Sequence, residues 1–178
     1  MKNTYKVNIS GKEVTLPIIK IGDDLSIAFF NLHGNVELTE FCALHLSKLL
    51  TDCDIIITAE SKGLQLAHCI ARNLNHPYYI AARKSKKLYM SGGIKVEVKS
   101  ITTGKIQNLY ISAEDAEKLN GKKVGIVDDV ISTGASIAAL ERLATLAGGT
   151  VCKKAAVLAE GDAMDRGDIC FLSTIPLF

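Results

Sequence analysis

The stretch Val124-Gly125-Ile126-Val127-Asp128-Asp129-Val130-Ile131-Ser132-Thr133-Gly134-Ala135-Ser136 governs how the rest of this chain is read. It opens as a short apolar run, the pattern of a buried strand, and delivers two adjacent carboxylates to one edge of a sheet. A turn of small residues follows, and then a helix-like pattern, Ile137-Ala138-Ala139-Leu140-Glu141-Arg142-Leu143. A strand, a glycine- and hydroxyl-rich turn and a helix N-terminus make an anion site. Backbone N–H groups converge there, the helix dipole favours negative charge, and Thr133 and Ser136 add hydroxyl donors. Two acids beside a phosphate cradle repel an anion unless the ligand also carries a sugar diol or a divalent cation for them to hold. The stretch has neither the G-x-G-x-x-G of a dinucleotide fold nor the G-K-[ST] of a Walker loop.

These thirteen residues resemble the phosphoribosyl-pyrophosphate signature of the type I phosphoribosyltransferases. The plain alternative is an ordinary β–turn–α unit with surface aspartates, which meets far fewer of the constraints. The resemblance implies that Asp128, Asp129, Ser132, Thr133, Gly134, Ala135 and Ser136 hold the ribose and its 5-phosphate. It implies Mg²⁺ as cofactor, near Asp128 and Asp129, directly or through ribose and water.

A second strand–loop–helix junction lies upstream. Asp54-Ile55-Ile56-Ile57-Thr58 reads as a buried strand, and Ala59-Glu60-Ser61-Lys62-Gly63 leads into a helical segment ending near Leu74. The loop is similar to the family's pyrophosphate loop in its purine-type form, which assigns Glu60, Ser61 and Lys62 to pyrophosphate. Pro77 to Ala82 reads as the next strand and ends in Arg83-Lys84-Ser85-Lys86-Lys87. A basic run is usually a solvated turn. Here it follows a strand beside two anion sites, and Arg83-Lys84 matches a pair in adenine phosphoribosyltransferases, so both residues are assigned to pyrophosphate. Lys87 is a candidate with equal claim to either reading.

The remaining segments fit around these loops. Tyr5 to Ile9 and Val14 to Ile21 read as paired strands across Gly11-Lys12. Phe29 and Phe30 precede a polar loop and are candidates to stack on a planar base, although burial in the core is the stronger reading for a pair of phenylalanines. A helix is predicted over Glu37 to Leu50 with Thr39 as its cap. Residues 88–108 correspond in the family to a mobile hairpin that closes over substrate. Adenine-specific relatives carry a Leu-Glu-Tyr-Gly segment there, and the best alignment puts Ile101-Thr102-Thr103-Gly104 in its place. No catalytic glutamate is carried over, and the catalytic acid or base stays unknown. Further strands are expected at Val151–Ala159 and Ile169–Leu172.

At 178 residues the chain is expected to form one domain, residues 1–178, with about 1–36 as a hood or base-binding segment and 37–178 as the core. The 48% apolar content fits a globular protein, and a net charge of +2 implies no broad nucleic-acid surface. No apolar run reaches a membrane span and no signal-peptide core is apparent, so no membrane partner and a cytoplasmic location are expected. The five cysteines, Cys42, Cys53, Cys69, Cys152 and Cys170, are widely spaced and read as buried free thiols.

The alternation of strands and helices predicts an α/β fold with a mostly parallel twisted sheet flanked by helices and ligands at its carboxyl edge. The resemblance adds the small N-terminal hood and the hairpin. It implies a homodimer that transfers the phosphoribosyl group from 5-phosphoribosyl 1-pyrophosphate to a purine base in salvage, with adenine first and xanthine or another purine next. A non-catalytic regulator that binds phosphoribosyl pyrophosphate is the rival reading. Relatives with a DNA-binding role carry an N-terminal winged helix, for which some 36 residues are too few.

Overall fold

The computed structural model describes residues 3–23, 25–88, 90–99 and 106–178. Its centre is a five-stranded parallel sheet built from β4 (Ile55–Ala59), β5 (Ile80–Ala82), β8 (Lys123–Ile131), β9 (Thr150–Glu160) and β10 (Cys170–Ile175), in the order β10-β9-β8-β4-β5. Parallel strands are covered on both faces and read as continuous apolar runs, which is why Ile55-Ile56-Ile57 and Val124 to Val127 were legible as strands. Alternate side chains serve two separate cores. Ile56 and Val127 belong to one, and Ile55, Ile57, Val124 and Ile126 belong to the other.

The first core lies under α1 (Val36–Ser47), α2 (Leu64–Asn73) and an antiparallel three-stranded sheet, β1 (Thr4–Ile9), β2 (Lys12–Lys20) and β3 (Ser26–Ala28). This small sheet is the expected hood, paired across Gly11 in the register Ile9↔Lys12. The second core lies under α4 (Ala135–Leu146), the end of α3 (Ala113–Leu119) and the hairpin of β6 (Ile94–Lys99) and β7 (Ile106–Ile111). Arg83 and Tyr110 exchange backbone hydrogen bonds of 2.8 Å, so the hairpin hangs from the end of β5. No helix among the described residues is long and apolar enough to cross a membrane.

Two local expectations change, and one falls outside the described residues. The cap of α1 is Asn35, whose Oδ1 accepts the Leu38 N–H at 3.1 Å. Thr39 lies inside the helix and donates its hydroxyl to Asn35 O at 2.7 Å, because a threonine within a first turn can bond back to a carbonyl four residues earlier. The central strand does not stop at the two acids but runs through them to Ile131, paired with β9 as far as Ala159. The segment Ile101–Gly104, where a catalytic glutamate was sought, lies outside the described residues.

Candidate functional site

All strands of the central sheet are parallel, so their carboxyl ends share one edge, and the loops that leave β4, β5 and β8 meet there. The turn after β8 has the form expected of an anion cradle. Gly134 is the N-cap of α4 and sits in the left-handed region at φ 77°, where a side chain would be strained. The first turn of α4 carries no acidic residue to compete for its free N–H groups. Asp128, Val130 and Ser132 through Ile137 line a hollow of about 140 Å³ around it. Thr133 and Ser136 are exposed, and Ser132 and Ala135 are half-buried.

A second, adjoining cavity of about 220 Å³ shares Asp128 and Ser136 with the first. Asp129, Glu60, Ser61, Lys62 and Lys84 complete its polar wall. Seven residues selected from three distant sequence segments therefore surround one space. The two acids are not equivalent in it. Asp128 is half-buried and its Oδ1 accepts the Asp129 N–H at 2.9 Å. Burial and the neighbouring Asp129 carboxylate push Asp128 well above the usual carboxylate range. Asp129 is only 4% exposed. Lys62 Nζ stands 2.9 Å from Asp129 Oδ2 as an ion pair, so that oxygen has a charge partner but no directed hydrogen bond among the described residues.

Lys62 is the hinge of these contacts. Besides Asp129 it donates to Phe30 O at 3.2 Å and lies 5.4 Å from the centre of the Phe29 ring. Phe29 is half-buried and reaches the edge of the crevice through that lysine. Phe30 does not: its ring is 2% exposed and packs in the first core, which corrects its candidacy for base stacking. Adjacent residues of an extended chain point to opposite sides, so only one of the pair can face the ligand.

Glu60 joins the loop to the basic segment. Its Oε1 accepts the Lys84 N–H at 2.6 Å, and Arg83 Nε lies 3.2 Å from Oε2. The peptide bond between Glu60 and Ser61 is cis. Below the loop, Gly63 packs against Thr58 so closely that a Cβ would collide with the Thr58 hydroxyl. The loop is thereby fixed on its own strand. Lys87 is placed apart from this cavity, bonded to Ser85 Oγ at 2.9 Å.

One cation at the site was missed. Arg166 grips Asp168 with two hydrogen bonds, Nε to Oδ1 at 2.9 Å and Nη2 to Oδ2 at 2.8 Å. That leaves Nη1 over Gly134, where a Cβ would run into it. Asp168 also pairs with Lys154, which reaches Glu141 of α4 at 2.8 Å. Arg166 lies in a polar turn with no periodicity, so only the fold reveals its proximity to the phosphate turn.

Comparison with known proteins agrees with this geometry. The family model described as "Phosphoribosyl transferase domain" matches residues 43–168. The chain is 31% identical over 156 residues to an adenine phosphoribosyltransferase of Corynebacterium jeikeium, covering 88% of this chain and 71% of that protein. It is 27% identical over 121 residues to a hypoxanthine/guanine phosphoribosyltransferase of Methanococcus voltae, covering 68% of this chain and 60% of that protein. The match thus spans between about three-fifths and seven-tenths of these relatives. The crystal structure of an adenine phosphoribosyltransferase from Thermoanaerobacter pseudethanolicus superposes with a TM-score of 0.68 at 24% identity, over 80% of this chain and 84% of the other. With its family matched across most of its length and its loops converging on one sheet edge, this chain belongs to the phosphoribosyl transferase domain family.

Proposed function

We propose that the protein transfers the phosphoribosyl group of 5-phosphoribosyl 1-pyrophosphate to a ring nitrogen of a purine, adenine first, and releases pyrophosphate. The observation that carries this is the pair of adjoining cavities sharing Asp128 and Ser136, one built as a phosphate cradle and the other walled by three acids and two lysines. A ligand with a sugar between two anionic groups has the chemistry to span both. The 5-phosphate takes the turn Ser132 to Ser136, with Arg166 Nη1 as a further donor. The ribose hydroxyls lie towards Asp128 and Asp129, and the pyrophosphate towards Ser61, Lys62 and Lys84. Glu60 serves as a positioning residue, since its carboxylate is already engaged by Arg83 and the Lys84 N–H. Xanthine, hypoxanthine and guanine are the next bases. The preference for adenine rests on the Glu60-Ser61-Lys62-Gly63 and Arg83-Lys84 features.

In the reaction the bond from the anomeric carbon to pyrophosphate breaks, a carbon–nitrogen bond forms, and the base loses a proton. The cations draw off charge from the leaving group, and the cradle and the acids hold the sugar in register. Adjacent carboxylates at a cavity wall, one with an oxygen lacking a hydrogen-bond donor, fit Mg²⁺ held largely by substrate oxygens and water. Asp128 and Asp129 would hold the ion together with oxygens of substrate and water. When bound, the ion neutralises pyrophosphate charge.

A turnover panel of adenine, hypoxanthine, guanine, xanthine and uracil with phosphoribosyl pyrophosphate tests this. Pyrophosphate release with a purine, fastest with adenine, is expected. Tight phosphoribosyl-pyrophosphate binding with no turnover on any base would establish the regulator reading instead. The homodimer expected of this family is checked by sedimentation.

A further inference from the structure

At the opposite, amino-terminal edge of the sheet lies a feature that the crevice does not use. Cys53 and Cys152, 99 residues apart in sequence, bring their Sγ atoms to 2.8 Å. Two devices create this approach. The β8–β9 register passes from Val124↔Val151 to Gly125↔Lys153, which leaves Cys152 as the extra residue of a bulge. A bulge re-aims the side chain it carries. On the neighbouring strand, Gly125 leaves open the space that Cys53 fills, since a Cβ there would stand 3.0 Å from Cys53 Sγ, 2.9 Å from Ile56 Cδ1 and 3.2 Å from Leu50 Cδ2.

We propose that Cys53 and Cys152 are a dithiol–disulfide site, oxidised by small-molecule disulfides such as oxidised glutathione. The pair is asymmetric. Cys152 is half-buried and Cys53 is buried, so the incoming disulfide meets Cys152 first. The Cys152 thiolate attacks one sulfur of the disulfide, forms a mixed disulfide and releases one thiol. Cys53 then loses its proton, attacks the Cys152 sulfur and expels the second thiol. Two protein thiols are oxidised and one disulfide is reduced to two thiols. Burial raises the Cys53 thiol, which favours its protonated form. Closing the bond needs about 0.8 Å of sulfur movement, given a bond length of about 2.05 Å. The closed loop is long, so the bond restrains the unfolded chain strongly.

The inference is independent of the proposed activity. Native protein is incubated with oxidised glutathione, alkylated, digested and mapped by mass spectrometry, and its melting temperature is read before and after. The expected result is a loss of two hydrogens, a Cys53–Cys152 cross-linked peptide, alkylated Cys42, Cys69 and Cys170, and a higher melting temperature that dithiothreitol reverses. Cys53→Ala should stop at a glutathione adduct on Cys152, and Cys152→Ala should gain neither adduct nor cross-link at these positions. The wild-type map carries the test even if Cys53→Ala fails to fold. A wild-type protein that keeps all five thiols, stops at the Cys152 adduct, or links another pair overturns the proposal.

Discussion

The two strand–loop–helix junctions at the carboxyl edge of the sheet solve different problems. The turn between β8 and α4 is open. Its hydroxyls face a hollow, its helix start carries no acid, and Gly134 exposes the backbone. The loop between β4 and α2 is closed on itself. Glu60 is held by Arg83 and the Lys84 N–H, Lys62 by Asp129 and Phe30 O, and Gly63 by Thr58. The open turn offers mainly backbone dipoles, with Arg166 beside it already neutralised by Asp168. The closed loop offers full charges, held by their own partners in the free protein. The first should therefore fail sterically and the second electrostatically.

The largest effect is expected at Gly134. Gly134→Val places a β-branched residue at φ 77° and drives its Cβ into Arg166. Affinity for phosphoribosyl pyrophosphate, read by calorimetry, should fall on the order of 100-fold or more. Normal binding would show that the open turn is not the phosphate site. Next is Lys62→Ala, which strips the nearly buried Asp129 of its charge partner. Loss of a partner to a buried group should cost about 1–3 kcal/mol of stability in chemical denaturation, beyond any loss of turnover. Unchanged stability would mean that the closed loop is not a neutralised network.

Asp128 sharpens the contrast from the other side. Its carboxyl is held above its unfolded range, so its contribution to stability is present at low pH and lost as pH rises towards the folded value. Asp128→Asn keeps the acceptor for the Asp129 N–H and removes the carboxyl whose ionisation is disfavoured beside Asp129. It should therefore be more stable than the parent, by about 1 kcal/mol or more near neutral pH and with a higher melting temperature, the difference shrinking towards pH values near 4. Substrate affinity should fall at the same time. A lower melting temperature at neutral pH would contradict the burial cost assigned to this residue.

Much of this edge was legible because its elements announce themselves locally. Buried parallel strands are continuous apolar runs, and the hydroxyl–glycine turn before α4 has few other uses. Features that depend on parity or on long-range packing were not legible. Phe29 and Phe30 are chemically alike, and only the course of the extended chain after β3 decides which ring enters the core. Thr39 and Asn35 are both good caps, and the backbone placed the helix start at the earlier one. Arg166 acts at Gly134 only because Asp168 orients it, and Cys152 meets Cys53 only because a bulge interrupts the ladder. Neither leaves a mark in sequence spacing.

The smallest expected effect separates the two junctions most cleanly. Lys84 is exposed, and its role in holding the loop belongs to its backbone N–H, which alanine retains. Lys84→Ala should therefore leave the Glu60 contact and the melting temperature unchanged. Its side chain lines the cavity and adds one positive charge there, where the proposed pyrophosphate site lies. Removing an exposed charge is worth about 0.2–1 kcal/mol, so affinity should weaken only a few-fold. The diagnostic is ionic strength. The Debye length falls from about 10 Å at 0.1 M salt to about 3 Å at 1 M, so the penalty should fade across that range. The Gly134→Val penalty, being steric, should persist in the same titration. A Lys84→Ala penalty that does not respond to salt would mean that the lysine acts through a fixed contact, and the division between a backbone site and a charge site would fail at that residue.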